Sequence, residues 1–425
     1  YGVALALGLK EKGVKSVFVP EGNIGEFTHI DDVSFFPASC LEQIVAHLSG
    51  GKPIVPVVFS VSDGGGSGRS DDGGESAGGR PGGGPIGADA AHCGDFAEVK
   101  GQERAKRALQ ICAAGRHDLA MYGSPGSGKS MLASRMPSIM PPLTREEILE
   151  VAKIYNIAGK DPYEGRAVCG RPFRSPHHSI TSTALVGGGN RPRPGELSLA
   201  HRGVLFLDEL PEFDRRALEM LRQPLEDRYI DLSRVGHRSR YPCEFVLIAA
   251  MNPCPCGYYG DPLQECRCTE HQRRRYSSRV SGPLLDRIDL HVRIGRVEYA
   301  DLSDDAPSCG APGVSGPSAP SSSSATLYEG VERAVVAQRR RNTPFTYNGD
   351  LPPKGTDEYC GLDAESERIL KAAYNAYGFS ARQGRKMQRI ARTIADMEGS
   401  EHILPAHITE AISYRRPKDI LGEGE

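Results

Sequence analysis

Two rhythms of apolar residues alternate between residues 95 and 300. Short, nearly unbroken apolar runs, "LAMY" (119–122), "GVLFL" (203–207) and "EFVLIAAM" (244–251), are separated by stretches in which apolar residues recur every three or four positions. The first rhythm reads as strands buried on both faces, the second as amphipathic helices. Their alternation predicts an α/β domain built on a parallel sheet. "DRYIDLSRVGHRSRYP" (227–242) alternates at period two around "VG" and reads as a hairpin. After residue 326 only the helical rhythm remains, in "LYEGVERAVVAQRRR", "AESERILKAAYNAYG", "GRKMQRIARTIADME" and "PAHITEAISY". Residues 326–425 are therefore expected to form a small helical domain.

Two tracts break both rhythms. Residues 59–94, Gly/Ser-rich from 61 onward, hold too few apolar residues to fold and read as a flexible linker. Residues 301–325 read as a disordered insertion. The expected division is 1–58, the linker 59–94, a core over 95–300, the insertion 301–325 and the helical domain 326–425. A length of 425 residues fits that division, at roughly 100–200 residues per domain.

Charge and cysteine content narrow the setting. A net charge of −2 excludes a polycation, so any nucleic-acid contact must come from local basic patches. Eleven cysteines spread through a chain of this size do not form a secreted disulfide scaffold, and a reducing cytoplasm is the expected compartment. No signal peptide is visible, and no apolar run approaches the roughly 18 residues that a membrane span needs. The first residue is Tyr1, which suggests a piece of a longer chain.

The candidate chemistry starts at "MYGSPGSGKSML", where Gly123, Ser124, Pro125, Gly126, Ser127, Gly128, Lys129 and Ser130 form a complete phosphate-binding loop between a strand and a helix. Such glycines turn backbone N–H groups toward phosphate oxygens, Lys129 supplies a cation and Ser130 a hydroxyl ligand for Mg²⁺. The strand "GVLFLDEL" ends in Asp208, suited to hold Mg²⁺ through water, and Glu209, suited to polarise an attacking water. Asn252 closes the next strand, where an amide can orient that water; a strand-end turn is the plainer alternative. Arg287 follows "LLD" and suits a cation lent by a neighbouring subunit, although surface arginines are common.

Other features remain open at this level. "AAMNPCPCGYYGDPLQECRC" carries Cys254, Cys256, Cys266 and Cys268 in two C-x-C pairs, the ligand count of a structural zinc site. Free or packed thiols, or a redox role, are the alternatives. Arg171, Arg174, Arg191 and Arg193 surround a glycine-rich tip, and Arg234, His237, Arg238 and Arg240 flank the hairpin turn. Both could contact a nucleic-acid backbone through charge, or be solvated surface. His177 and His178 are adjacent, which in a strand would point them to opposite faces and away from a shared metal.

In this order, the phosphate loop, "LFLDE", "AAMNP" and "GPLLDRIDL" resemble AAA+ ATPases. The runs "FRSPHHSITSTALVGGGNRPRPGELSLAHRGVLFLDELPEF", "MNPCPCGYYGDP", "SGPLLDRIDL" and "ARTIADMEG" resemble the YifB/ComM family of magnesium-chelatase-like proteins, over about residues 95–415. Residues 1–58 resemble the end of the Lon-like, ribosomal S5-type α+β domain that precedes the ATPase there. The resemblance implies a AAA+ P-loop core with a C-terminal helical lid, an insertion in its second helix and a hairpin before the sensor strand. It also implies a homo-hexamer that uses ATP and Mg²⁺ and, in the ComM branch, a bacterial helicase driving branch migration of DNA during natural transformation.

By the same resemblance Asn252 is the first sensor, Arg287 a finger acting in trans and Arg382 the second sensor. Lys386 stands where the family has arginine, which leaves Arg385 and Arg389 as rivals of Arg382. "DFAEVKGQERAKRAL" would cover the adenine with Val99, Gly101 and Gln102; a helix start with a glycine turn is the alternative. Two other functions fit the ATP site, remodelling of a protein partner in tetrapyrrole metallation and ATP-dependent proteolysis. The magnesium-chelatase subunit lacks a Lon-like domain, so residues 1–58 favour the DNA motor. The protease's lysine would fall in the apolar "YGVALAL", without a lysine for the dyad.

Overall fold

The computed structural model describes residues 2–27, 30–59, 94–160, 170–189, 192–234, 237–295, 323–341 and 347–415. Most of the 59–94 and 301–325 tracts lie outside these residues, as do Arg191, the 235–236 turn and the side chains of Arg234 and His237. The chain divides into two compact units, one of residues 1–89 and 143–170, the other of 90–142 and 171–425.

The first unit carries a three-stranded sheet in the order β1 (Ser16–Pro20), β2 (Ser34–Ala38), β3 (Val57–Val58). β1 and β2 run parallel, with Ser16 opposite Ser34, and β3 is antiparallel to β2. Its core gathers Ala6, Leu7, Val19, Phe27, Ile30 and Phe35, with the Phe27 and Phe35 rings stacked at 4.7 Å. The helix Arg145–Ala158, opened by a Thr144–Glu147 capping box, packs Leu149 and Ala152 against that core. Arg145 also pairs with Asp31 at 2.7 Å. Arg145 and Lys10 together hold the Asp31 carboxyl down at about 2. A helix that lies in sequence within the 95–300 stretch is thus built into the unit formed by the first 58 residues.

The second unit holds β4 (Leu119–Gly123), β5 (Phe173–Arg174), a ribbon of β6 (Gly187–Gly188) and β7 (Arg193–Pro194), β8 (Val204–Leu207), the hairpin β9 (Tyr229–Arg234) and β10 (His237–Pro242), β11 (Val246–Met251) and β12 (Leu290–Ile294). Five of these form a wholly parallel sheet in the order β12-β4-β11-β8-β5. The apolar runs are strands buried on both faces, and period-two geometry sorts their side chains into two cores. Leu119, Met121, Val204, Phe206, Val246, Ile248 and Ala250 enter one cluster. Ala120, Tyr122, Leu205, Leu207, Leu247, Ala249 and Met251 enter the other.

The first cluster is closed by the helix Glu103–Gly115 and by the C-terminal helices Ser324–Arg340, Ala381–Met397 and Pro405–Ser413, through Val331, Val335, Ile390, Ile394 and Ile408. These helices therefore cover a face of the sheet. The hairpin β9–β10 stands directly before β11 in the chain, and β11 lies between β4 and β8.

Candidate functional site

The phosphate loop leaves the end of β4 at Gly123, where a Cβ would stand 2.6 Å from the Ile294 carbonyl oxygen at the end of β12. Gly126 and Gly128 have φ of +76° and +86°, the left-handed region that L side chains enter at a cost. Lys129 opens the helix Lys129–Ser134 and is nearly buried. Its Nζ donates to the carbonyls of Gly123 (2.8 Å) and Ser124 (2.9 Å) and to Asn252 Oδ1 (3.3 Å). Burial lowers its pKa, against the pull of Asp208 and Glu209.

Ser130 Oγ donates to Asp208 Oδ2 at 2.6 Å, and Asp208 Oδ1 accepts from the Glu209 backbone N–H at 2.9 Å. Glu209 sits at φ +52°, strained backbone for a residue with a Cβ, and its carboxylate meets His178 Nδ1 at 3.2 Å. Lys129, Ser130, Asp208, Glu209 and Asn252 therefore converge beyond the carboxyl ends of the adjacent strands β4, β11 and β8, the usual ligand crevice of an open α/β sheet. Hard oxygen donors from one hydroxyl and one carboxylate fit Mg²⁺, which takes few protein ligands and keeps waters and phosphate oxygens. The buried amine fits the phosphate charge.

Val99 is buried, and Gly101 and Gln102 both take left-handed φ, +63° and +61°. Gln102 Nε2 donates to the Gly295 carbonyl (2.6 Å), which pins this segment beside the end of β12, next to β4.

The two arginines lie elsewhere. Asp118, Arg202, Glu244 and Asp289 each sit one or two positions before β4, β8, β11 and β12, and with Arg287 and Arg382 they line a cleft of about 620 Å³. Because the strands are parallel, that cleft marks their amino ends. A five-residue strand is about 17 Å long, so the cleft and the phosphate loop occupy opposite ends of the sheet. Glu226 accepts from Arg287 (2.7 Å) and Arg382 (2.6 Å), and the two arginines overcome burial to lower its pKa.

Of the rival sensors, Arg389 is held by the carbonyls of Gly349 and Leu351, and Arg385 lies 3.7 Å from Asp357. Only Arg382 among them shares a carboxylate with Arg287. On this chain Arg382 stands with Arg287, not with Lys129.

Lys386 is a buried brace. Its Nζ donates to the carbonyls of Asp286 (2.7 Å) and Ile288 (3.2 Å) and pairs with Asp289 at 2.8 Å. It thereby ties the helix Ala381–Met397 to the segment carrying Arg287. Burial would raise the Asp289 carboxyl, yet Lys386 and His117 hold it well below the usual range. Lys386→Met is expected to cost about 3 kcal/mol of stability in chemical denaturation, because it takes the ammonium from a buried carboxylate and leaves it the His117 ring at 3.2 Å. Adding Asp289→Asn should recover part of that loss.

The cysteine loop lies against the phosphate loop. Cys254, Cys256, Cys266 and Cys268 place their sulfurs within 4.8 Å of one another. Asp261, inside this loop, accepts from Ser124 Oγ at 2.6 Å.

Several basic residues have internal partners. Arg174 makes a bidentate pair with Glu196 (2.6 and 2.9 Å), and Arg171 donates to the carbonyls of Pro141 and Arg202. Arg240 pairs with Asp231 at 2.8 Å and lies over the Tyr229 ring, whereas Arg238 keeps a 74 % exposed side chain and reaches Asp231 only at 3.4 Å. Arg193 is exposed on β7. His177 and His178 stand outside any strand, their rings 4.0 Å apart, so the opposite-faces argument does not apply to them. Glu226, Asp261 and the His178–Glu209 pair have no short motif in the sequence; each is defined by a distant partner.

The family described as "Magnesium chelatase, subunit ChlI" matches residues 95–302, and "Magnesium chelatase, subunit ChlI C-terminal" matches 321–415. The chain is 34% identical over 415 residues to the competence protein ComM of Haemophilus influenzae, covering 98% of this chain and 74% of that protein. It is 45% identical over 321 residues to YifB of Salmonella typhimurium, covering 76% of this chain and 60% of YifB. The match thus spans less than two thirds of the length of YifB. A magnesium-chelatase 67 kDa subunit of Heliobacterium mobile is 25% identical over 240 residues, half of this chain. With the parallel sheet and the helical C-terminal region, these matches establish that the chain belongs to the ComM/YifB family of magnesium-chelatase-like AAA+ proteins.

Proposed function

We propose that this chain is the motor of an ATP-hydrolysing homo-hexamer that acts on DNA in the bacterial cytoplasm and drives branch migration in transformation or recombination. One observation carries the motor reading: the five phosphate-end residues gather at one end of the sheet, while Arg287 and Arg382 share Glu226 at the other. Such polarity suits a ring in which each subunit completes its neighbour's site. Membership of a magnesium-chelatase-like AAA+ family suggests ATPase activity independently.

ATP with Mg²⁺ supplies the phosphoanhydride bond and the metal charge. Lys129 exchanges its carbonyl partners for phosphate oxygens, and Ser130 and Asp208 hold the metal side. Glu209 accepts a proton from the attacking water, which Asn252 orients, and His178 fixes the Glu209 carboxylate. Arg287 and Arg382 of the next subunit neutralise charge on the transferred phosphoryl group. Val99, Gly101 and Gln102 cover the base. The cysteine quartet is the candidate for a structural zinc. Residues 1–58 are the closing part of a Lon-like domain.

The DNA reading is supported by the relative named competence protein ComM and by the exposed Arg193 and Arg238. Among the described residues no helix is long and apolar enough to cross a membrane, and eight cysteines are free thiols, as a reducing cytoplasm allows. ATP hydrolysis measured with and without four-way DNA tests the proposal. Stimulation by DNA, with salt-sensitive binding, is the expected result. An ATPase indifferent to DNA would overturn the DNA half and turn attention to a protein substrate. In the Arg193→Ala/Arg238→Ala variant, DNA binding should fall roughly tenfold across sequences, and the salt slope should shrink by about 2 per subunit engaged.

A further inference from the structure

The loop between Asn252 and the helix Glu270–Ser277 has little to hold it by hydrophobic burial. Cys254 is its one buried side chain, and Leu263 is 79 % exposed. Its local order comes from turns: Gly257 N–H donates to the Cys254 carbonyl, and Asp261 Oδ1 accepts from the backbone N–H groups of Leu263 and Gln264. A Thr269–Gln272 capping box begins the helix directly after Cys268. These local bonds shape the two arms but do not join them.

The sulfurs do. Cys254 Sγ lies 3.3 Å from Cys256 Sγ and 3.7 Å from Cys266 Sγ, and Cys256 Sγ lies 3.7 Å from Cys266 Sγ. A disulfide needs about 2.05 Å, so these are separate thiols. A zinc ion bonded to four thiolates at about 2.3 Å sets sulfur–sulfur edges of about 3.8 Å, close to the spacing present. The quartet also supplies the ligand number of a closed structural site, with no position left for a catalytic water.

Between its two C-x-C arms the same loop bears on the phosphate loop at two points. Asp261 Oδ2 accepts from Ser124 Oγ at 2.6 Å. Gly257, at φ +86°, packs so closely that a Cβ there would fall 2.4 Å from Pro125 Cδ. We propose that Cys254, Cys256, Cys266 and Cys268 bind one zinc ion, and that the zinc, by joining the arms, sets the shape of residues 124 and 125 and hence nucleotide affinity. Binding releases the thiol protons to solvent as the thiolates take the metal. The coupling rests on the ATP-site reading above; the zinc site does not.

Elemental analysis of the purified full chain should find zinc near one per chain, falling steeply in Cys256→Ser/Cys266→Ser. Chelation followed by Co²⁺ loading should give the visible spectrum of a tetrahedral tetrathiolate site. Chelation and buffer exchange of the wild-type chain should weaken binding of a fluorescent ATP analogue with excess Mg²⁺, and Zn²⁺ should restore it. Asp261→Asn should keep its zinc yet bind the analogue about tenfold more weakly, the effect of losing one charge-assisted hydrogen bond.

Zinc far below one per chain together with a silent cobalt spectrum would overturn the site. Metal-depleted protein with unchanged nucleotide affinity would overturn the coupling. Because zinc content and the cobalt spectrum are read without nucleotide, a chain that binds zinc but no nucleotide overturns the ATP-site reading, and the coupling with it, while the zinc site stands.

Discussion

Arg287→Ala is expected to lower ATP turnover by about 10³-fold or more, the scale of an arginine finger, with nucleotide affinity unchanged. The expectation follows from placement. Arg287 precedes β12, at the amino ends of the strands, and its guanidinium is held by Glu226 and by the Pro283 carbonyl (2.6 Å). No route within one subunit brings it to Lys129 without dismantling the sheet between them. The residue must therefore act on another copy or not act in catalysis. Mixing distinguishes the two. Rings assembled from Arg287→Ala and Glu209→Gln subunits, each inactive alone, contain sites that combine an intact Glu209 with an intact neighbouring Arg287. Recovered turnover in the mixture is the expected outcome, and full activity of Arg287→Ala alone would refute the assignment.

The second large effect is at Lys129. Lys129→Ala should abolish turnover and weaken nucleotide binding, a combination that separates it from Arg287→Ala. The amine is nearly buried and bonded to two loop carbonyls and to the Asn252 amide. Removing it takes away the loop's cation and also leaves those carbonyls and the Asn252 oxygen without their donor. Equilibrium binding of a nucleotide analogue and steady-state phosphate release measure the two losses separately. Lys129→Arg should not rescue, because a guanidinium is too large and too planar for the site of a compact ammonium.

The parts of this molecule legible in the sequence are those whose chemistry is local in the chain. The phosphate loop, the acidic end of β8 and the amide after β11 are each set by a few consecutive residues, and the parallel sheet brings them together. The apolar runs also disclosed buried strands, because a strand covered on both faces has no polar alternate position. What the sequence hid depends on distant partners. Glu226 carries no motif, yet it joins Arg287 to Arg382. Arg171 and Arg174 look like a nucleic-acid surface until Glu196 and two carbonyls are seen to occupy them. Lys386 looks like a departure from a sensor arginine and is the buried counter-charge of Asp289. The helix Arg145–Ala158 has an ordinary amphipathic pattern, and nothing in that pattern says which core its apolar face will meet.

That helix has a topological consequence. Residues 1–59 and the helix Arg145–Ala158 share one hydrophobic core, although the glycine-rich stretch separates them in the chain. A protease cut within residues 60–93 would therefore sever the covalent path without freeing the amino-terminal piece. The two fragments would migrate together under native conditions and part only in denaturant. A nicked preparation would pass for intact by size exclusion, because the amino-terminal segment shares its core with a helix that the chain connects directly to the phosphate-loop unit.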